Sequence, residues 1–268
     1  MARSSHDIVD PVAPRSPKDT FITVYGRKPV LEALDDPSLT VDKVITSDAA
    51  RGNSLTEILT AARRRGVPVQ RASAHRVKVL AGNGRHDQGV LADVVAPRMR
   101  PLDEYLAELE EWPGDTPCSL LVLDAVTNPA NVGMVLRSAT AAGLDGILLP
   151  RRGVPAIDPL VIKASAGVAF RAPVLRSSTA AEGCAALRAA GIAVFGLAGD
   201  ASVSLLTDPL PERVALVLGN ETEGLSDGVR AELTGTVSIP MHGGVESLNV
   251  ASAAAVASYE LLRRRKAR

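Results

Sequence analysis

Residues 119–137 read SLLVLDAVTNPANVGMVLR, and this stretch indicates the fold of the chain more clearly than any other. The apolar run 119–124 has the uninterrupted pattern of a strand that is buried on both faces of a sheet. A polar loop follows, and apolar residues then recur with the spacing of one helix face. We therefore predict a strand, a loop and a helix over residues 132–142, with Asn131 as the helix N-cap.

The same alternation continues toward the C-terminus. Short apolar runs separated by helical patterns lie at residues 146–149, 193–197, 214–218 and 237–239. Buried strands that alternate with helices predict a parallel α/β sheet with helices on both faces. Because ligands of such sheets bind where the strands end, the loops after these strands are the candidate sites.

Upstream of this unit the patterns predict a smaller α/β unit. A helix at 54–65 begins with Ser54 and Glu57, the spacing of a capping box, and a strand is expected at 41–47. The polar, Pro-rich N-terminus predicts a disordered leader. The predicted organisation is a leader at 1–20, a small unit at 21–97, an acidic linker at 98–116 and a larger unit at 117–268.

Charge is distributed unevenly along the chain. The 268 residues contain 30 Lys and Arg and 30 Asp and Glu, so the net charge is zero, and 46% of residues are hydrophobic. This composition excludes a wholly disordered chain, and zero net charge alone gives no attraction to a polyanion. Residues 20–100, however, hold 13 basic and 8 acidic side chains, a local charge of +5. Aromatic residues make up only 3% of the chain, too few for a platform that stacks single-stranded bases.

Several classes of site and location receive no support from the residues. The two cysteines, Cys118 and Cys184, are too few for a disulfide framework, and we expect both to be small core residues. The four histidines are dispersed without metal-ligand spacing, so no metal is expected. The chain has no apolar run long enough to span a membrane and no apolar signal core. We therefore expect a cytoplasmic protein without a membrane partner.

Four predicted strand ends carry unusual loops. They begin at Asn128, Leu197, Leu218 and Ser238; the third contains GNETEG (219–224), and the fourth reads SIPMHGGVESLN (238–249). Each has an ordinary interpretation as a turn or a helix cap. An alternative is a nucleotide or anion site, since a free helix N-terminus donates N–H groups, Gly133 permits close backbone approach and Arg137 adds a planar guanidinium. Dinucleotide, P-loop and serine-hydrolase motifs are absent from the sequence.

In combination these loops resemble the SpoU/TrmH family of SPOUT methyltransferases, which methylate ribose 2′-hydroxyls of RNA. The resemblance rests on Asn131, Gly133 and Arg137, then on 219–224, then on 238–249. It implies an α/β fold in which a parallel-sheet SPOUT domain ends in a trefoil knot, at about residues 193–259. It also implies a homodimer.

The resemblance implies S-adenosylmethionine as the cofactor. Residues at the family's cofactor-binding positions are Leu197, Gly199, Gly219, Asn220, Ile239, Met241, Ser247 and Leu248. Arg137 would lie nearest the reacting ribose oxygen, Asn131 would position the ribose or Arg137, and Glu221 would orient the site. Ser247 and Asn249 would hold the cofactor or the hydroxyl group. Because arginine stays protonated in proteins, Arg137 is expected to stabilise a developing alkoxide rather than to accept a proton.

The N-terminal unit resembles the small, ribosomal-protein-like RNA-binding domain of rRNA-modifying members, through 25–30 (YGRKPV) and 86–90 (HDQGV). Large-subunit (23S) rRNA is therefore the expected substrate. Candidate phosphate contacts are Arg27, Lys28, Arg63, Arg64, Arg65, Arg85 and Lys163. The alternatives are a tRNA 2′-O-methyltransferase, a catalytically silent RNA-binding protein of the same fold and an unrelated nucleotide-binding α/β protein. The sequence does not identify the target nucleotide.

Overall fold

Two β-sheets organise the chain. The structure, a computed structural model, describes residues 16–82, 87–114 and 116–267. The predicted leader lies outside these ranges except for residues 16–20, which include a short 3₁₀ turn at Pro17–Asp19. Within the described ranges, no helix is both long and apolar enough to cross a membrane.

The N-terminal unit is a four-stranded sheet packed against helices. Its elements in chain order are β1 (Phe21–Tyr25), α1 (Arg27–Asp35), β2 (Val41–Ser47), α2 (Asn53–Arg64), β3 (Val69–Ala72), α3 (Ala74–Ala81) and β4 (Val90–Val95). The strand order is β1-β4-β2-β3, and only the β2–β3 pair is parallel. The mixed α/β prediction is confirmed, whereas the predicted capping box is wrong. Gly52 precedes α2, and Ser54 Oγ instead accepts a hydrogen bond from Arg27.

The C-terminal unit is a parallel sheet of seven strands. Its elements are β5 (Arg100–Pro101), α4 (Leu102–Glu110), β6 (Cys118–Leu123), α5 (Pro129–Ala141), β7 (Gly146–Leu148), α6 (Pro159–Ala164), β8 (Val174–Arg176), α7 (Ala180–Ala189), β9 (Ala193–Leu197), β10 (Arg213–Leu218), α8 (Asp227–Arg230), β11 (Gly235–Val237) and α9 (Val250–Lys266). The order is β11-β9-β10-β6-β7-β8-β5, and every pairing is parallel. This confirms the predicted parallel sheet and places β6 at its centre.

Apolar layers cover both faces of this sheet. Helices α5, α6 and α9 pack on one face, and α4, α7 and α8 pack on the other. Side chains of β6 alternate between the two layers, which explains its continuous apolar sequence. Cys118 and Cys184 are buried and unbridged, as predicted. Burial raises the pKa of the Cys118 thiol to about 11, so this group stays neutral at physiological pH.

The stretch 98–116, expected to be an acidic linker, contains β5 and α4. Strand β5 pairs with β8, and α4 buries Leu102, Tyr105 and Leu109 against the second layer. The acidic side chains of α4 occupy its solvent-facing positions. Because they dominate the composition of 98–116, the apolar spacing of the helix is hard to recognise in the sequence. The expectation of a simple connector is therefore wrong for residues 100–110, which supply the edge strand β5 and the helix α4 that packs on one face of the C-terminal sheet.

Candidate active site

Helix α5 begins earlier than the sequence patterns suggested. Asn128 is the N-cap, with its side-chain oxygen accepting from the Ala130 N–H at 2.9 Å, and Pro129 occupies the first helical position. Asn131, predicted to be the cap, lies in the first turn and is buried. The Asn-Pro pair is the signal that would have located the cap, because proline is favoured at the first helical position. Asn131 is thus available for contacts other than capping.

Asn131 joins two of the other predicted motifs. Its side-chain N–H donates to Glu221 Oε1, and its Oδ1 accepts from Asn249 Nδ2 at 3.2 Å. Asn249 in turn caps α9 by accepting from the Ala251 N–H at 2.9 Å. Three side chains that are up to 118 residues apart in sequence therefore form one hydrogen-bond chain at the carboxyl edge of the sheet.

Glycine closes the loop that carries Glu221. Asn220 and Gly224 exchange two backbone hydrogen bonds of 2.9 and 3.0 Å, so residues 220–224 form a tight turn. A Cβ atom on Gly219 would lie 2.5 Å from the Gly224 carbonyl oxygen, so no larger residue fits there. The Asn220 side chain donates to the Ala125 carbonyl at 2.9 Å, which fixes this turn to the end of β6.

Asp124 is a further residue of this edge, and sequence reasoning did not single it out. It is buried at the end of β6, where it accepts from the Ser226 N–H at 2.7 Å and from Ser226 Oγ at 3.1 Å. It therefore anchors the far end of the loop that carries Glu221. A carboxylate ending an otherwise apolar run was the available signal, because a buried charge requires partners.

Gly133 was expected to let a ligand approach the backbone of α5 closely. In the structure it is another helix, α6, that lies against this glycine. A Cβ on Gly133 would lie 2.5 Å from the Val161 carbonyl oxygen and 2.6 Å from the Ala164 Cβ, both in α6. Lys163 is exposed on the same short helix. The glycine thus sets how α6, with its lysine, packs beside the first turn of α5.

Arg137 lies on the exposed side of α5, two turns beyond Asn131. Among the described residues it has neither a hydrogen-bond partner nor an ion-pair partner. A guanidinium without protein partners can interact with a ligand, provided that the ligand reaches this face of the helix.

The predicted cofactor positions lie in the loops after β9, β10 and β11. Leu197 and Ile239 are partly buried against the apolar core, and a Cβ on Gly199 would lie 3.4 Å from the Glu246 carbonyl oxygen. The segments around residues 199 and 246 therefore run side by side. Met241 is half-buried, and Ser247 and Leu248 are exposed next to Asn249. Ser247 makes no described contact with Asn131 or Glu221.

The predicted phosphate contacts of the N-terminal unit fall into two groups. Arg65 donates to four carbonyl groups between residues 33 and 39, and Arg64 pairs with Asp35 at 3.0 Å. Arg27 donates to Ser54 Oγ and to the Arg51 carbonyl. These arginines hold the domain together. Lys28 and Arg63, by contrast, are exposed, and Arg85 lies outside the described residues.

The geometry suits the positioning and electrostatic stabilisation of a reacting group. Within residues 16–82, 87–114 and 116–267, no group of three His, Cys, Asp or Glu side chains could hold a metal ion. The amides of Asn131 and Asn249 neither gain nor lose protons at ordinary pH, so they orient other groups. The candidate residues thus include a carboxylate fixed by Asn131 and a guanidinium, that of Arg137, with no side-chain partner among the described residues.

Comparison with known proteins agrees with this arrangement. A 23S rRNA (guanosine-2'-O-)-methyltransferase RlmB from Xanthomonas axonopodis pv. citri (strain 306) is 36% identical over 242 residues, which are 90% of this chain and 96% of that protein. A tRNA/rRNA methyltransferase of uncharacterized function from Mycolicibacterium vanbaalenii is 34% identical over 250 residues, 92% of this chain and 78% of that protein.

A solved structure extends the likeness to the fold. The SpoU methyltransferase AviRb from Streptomyces viridochromogenes superposes with a TM-score of 0.60 and 25% identity, over 92% of this chain and 90% of that one. A structure of AviRb in complex with AdoMet superposes with a TM-score of 0.58. Residues 23–100 match the family described as RNA 2'-O ribose methyltransferase substrate binding. Residues 119–259 match the SpoU rRNA Methylase family, and the chain belongs to it.

Proposed function

We propose that this protein transfers a methyl group from S-adenosylmethionine to a ribose 2′-hydroxyl of large-subunit (23S) rRNA. The main structural support is the hydrogen-bond chain that joins Glu221, Asn131 and Asn249. Arg137 lies on the same helix as Asn131 and has no side-chain partner within the described part of the chain. The RlmB relative, which matches almost the whole chain, supports large-subunit rRNA as the substrate. The organisation into an RNA-binding unit at 21–97 and a methyltransferase unit downstream is part of the same proposal.

Each site residue has its own proposed role in methyl transfer. When bound, S-adenosylmethionine supplies a methyl carbon that its sulfonium already activates. Arg137 places its positive charge at the ribose oxygen and stabilises the alkoxide that develops as the hydroxyl loses its proton. Asn131 positions the ribose or Arg137, while Glu221, held by Asn131, orients the attacking group. A phosphate group or a water molecule accepts the proton, because a guanidinium stays protonated.

The loops after β9, β10 and β11 fit an adenosine-containing cofactor. Gly199 is exposed, Gly219 brings the 219–224 turn close to the main chain of Gly224, and Leu197, Ile239 and Leu248 supply apolar surface. The AviRb complex with AdoMet, which has the same fold, supports this assignment. Further members of the proposed binding set are Asn220, Met241 and Ser247. We also propose that residues 193–259 form a trefoil knot, in keeping with Arg264, which ties α9 to the Leu205 and Asp208 carbonyls.

A homodimer is part of the proposal. Met134 on α5 and Leu160 on α6 are exposed apolar side chains, and their two helices pack against each other near the proposed site. Covering them in a second copy would bury this apolar surface and exclude water from the site. Light scattering should give twice the mass of the chain, and a monomer mass would contradict the proposed homodimer.

The proposed location is the cytoplasm, where 23S rRNA is made.

The decisive test is a map of ribose methylation on total RNA from cells with and without the gene. We expect one 2′-O-methyl group in 23S rRNA to disappear with the gene and to return when the wild-type gene is restored. A missing tRNA methyl group would instead favour the tRNA alternative, and the tRNA/rRNA relative is the reason to include that arm. An unchanged map of both RNA classes would contradict the proposed function.

A further inference from the structure

Two arginines, Arg151 and Arg176, form an arginine cluster at the carboxyl ends of β7 and β8, away from the predicted cofactor loops. Arg176 is the last residue of β8, and Arg151 follows β7 in a segment that continues to pair with residues 175–178. Val174 and Leu149 belong to the core layer beneath α5. Because side chains alternate along a strand, Arg176 and Arg151, each two residues later, point to that same face.

One carboxylate, that of Asp19, pairs with Arg151 and acts on Arg176 through its charge alone. Arg151 Nη2 donates to Asp19 Oδ1, and the Asp19 side chain is only 3% exposed. Arg176 donates from Nη1 to the Leu149 carbonyl at 2.8 Å, but its buried Nε has no hydrogen-bond partner. Burial and the charge of Arg151 lower the pKa of Arg176 to about 10, so it remains charged at neutral pH. The cluster therefore carries more positive charge than Asp19 neutralises.

The arginine cluster adjoins the proposed active site. Gly153, two residues after Arg151, lies next to the loop that follows β6, because a Cβ on it would be in van der Waals contact with the Ala125 Cα at 3.9 Å. The Ala125 carbonyl accepts from Asn220, the neighbour of Glu221. In the sheet, β6 separates the cofactor loops from β7 and β8. An RNA strand with its ribose at Arg137 can thus extend along this edge onto the arginines.

We propose that Arg151 and Arg176 bind a backbone phosphate of the RNA substrate, and that Asp19 occupies this phosphate site when RNA is absent. This inference rests on the proposed function and adds a binding site to it. Guanidinium groups bind phosphate in the same fork geometry as carboxylate, and phosphate carries more acceptor oxygens. The Arg151 side chain is 36% exposed, so an incoming phosphate can reach it.

Fluorescence anisotropy with in vitro transcribed 23S rRNA, measured over a range of KCl concentrations, tests the site in the full chain. Arg151→Gln should weaken RNA binding about tenfold and reduce the slope of log affinity against log salt by about one. Asp19→Asn should strengthen RNA binding severalfold, because a competing negative charge is removed. Arg188→Gln is the matched control, since Arg188 pairs with Glu232 at 3.3 Å on the opposite face of the sheet.

The opposite signs of the two effects distinguish the phosphate site from a structural ion pair. If the pair only held the protein together, both substitutions would change melting temperature and RNA affinity in the same direction. Unchanged affinity and salt slope in Arg151→Gln, or weaker binding in Asp19→Asn, would overturn the site. Methylation of the same RNA by the wild-type chain reports separately on the proposed function, and calorimetry with S-adenosylmethionine checks that each variant keeps its cofactor affinity.

Discussion

Asn131 is held by two side chains from distant parts of the chain. It donates to Glu221 and accepts from Asn249, and each of these contacts requires its loop to be correctly placed. Because Asn131 is buried, loss of either partner would leave a polar group unsatisfied. At the scale of single residues, Asn131, Glu221 and Asn249 are thus mutually dependent positions.

Substitution of Arg137 separates chemistry from cofactor binding. Arg137→Ala should lower the rate of methyl transfer about 100-fold or more, because the charge at the developing alkoxide is lost. S-adenosylmethionine affinity by calorimetry should stay close to wild type, since Arg137 lies on α5 and not in the cofactor loops. Retention of near-normal turnover would disprove the role given to Arg137.

A substitution of Gly133 tests the packing of α5 against α6. Gly133→Ala should destabilise the protein by about 1–3 kcal/mol, because the added methyl group overlaps the Val161 carbonyl. Gly114→Ala is the control, since a Cβ there meets nothing within 4 Å. Urea unfolding measures both variants, and equal stability of the two would contradict the close contact.

At the scale of elements, the basic side chains of α1 and α2 have different tasks. Arg65→Gln should lower the free energy of unfolding by about 2 kcal/mol or more, because it removes a donor to four carbonyl groups. Lys28 is 87% exposed, so Lys28→Gln should leave stability unchanged and reduce the salt dependence of RNA binding. Thermal unfolding and anisotropy measure the two effects, and the reverse pattern would contradict the assignment.

Helix α9 contains a carboxylate whose ionisation stabilises the fold. Glu260 is nearly buried and accepts hydrogen bonds of 2.7–2.8 Å from Arg263 and Arg264. The bonds from Arg263 contribute most to lowering the pKa of Glu260 below its usual value. A carboxyl group with a lowered folded-state pKa adds stability above its unfolded pKa, and this stability is lost as the pH falls through the folded pKa.

Glu260→Gln should therefore melt about 2–4 °C below wild type at neutral pH. The difference should shrink as the pH falls from the ordinary glutamate pKa of about 4.3 through the lower folded-state pKa of Glu260, because the wild-type carboxyl group then also becomes protonated. Calorimetric scans across this pH range measure it, with the exposed Glu110→Gln as the control. A difference that is constant with pH would show that the charge of Glu260 is not responsible.

At the scale of the whole molecule, residues 100–110 belong to the C-terminal unit, because side chains of α4 are part of its apolar core. A chain of residues 98–268 keeps β5 and α4, and should fold, bind S-adenosylmethionine as the full chain does and bind RNA more weakly. A chain of residues 117–268 loses the buried Leu102, Tyr105 and Leu109 and should melt at a much lower temperature. Equal melting temperatures of the two truncations would mean that α4 does not stabilise the sheet.

The sequence by itself determined the parallel sheet and the alternation of strands and helices, which follow from local periodicity. The proposal of Asn131, Arg137 and Glu221 as site residues came from the resemblance of its motifs to a known family. Only the tertiary structure decided which side chains meet. It showed that Asn128 caps α5, that β5 joins the sheet while α4 packs on its face, and that Asp19 lies beside Arg151. Such contacts depend on packing between residues far apart in sequence, which no local pattern encodes.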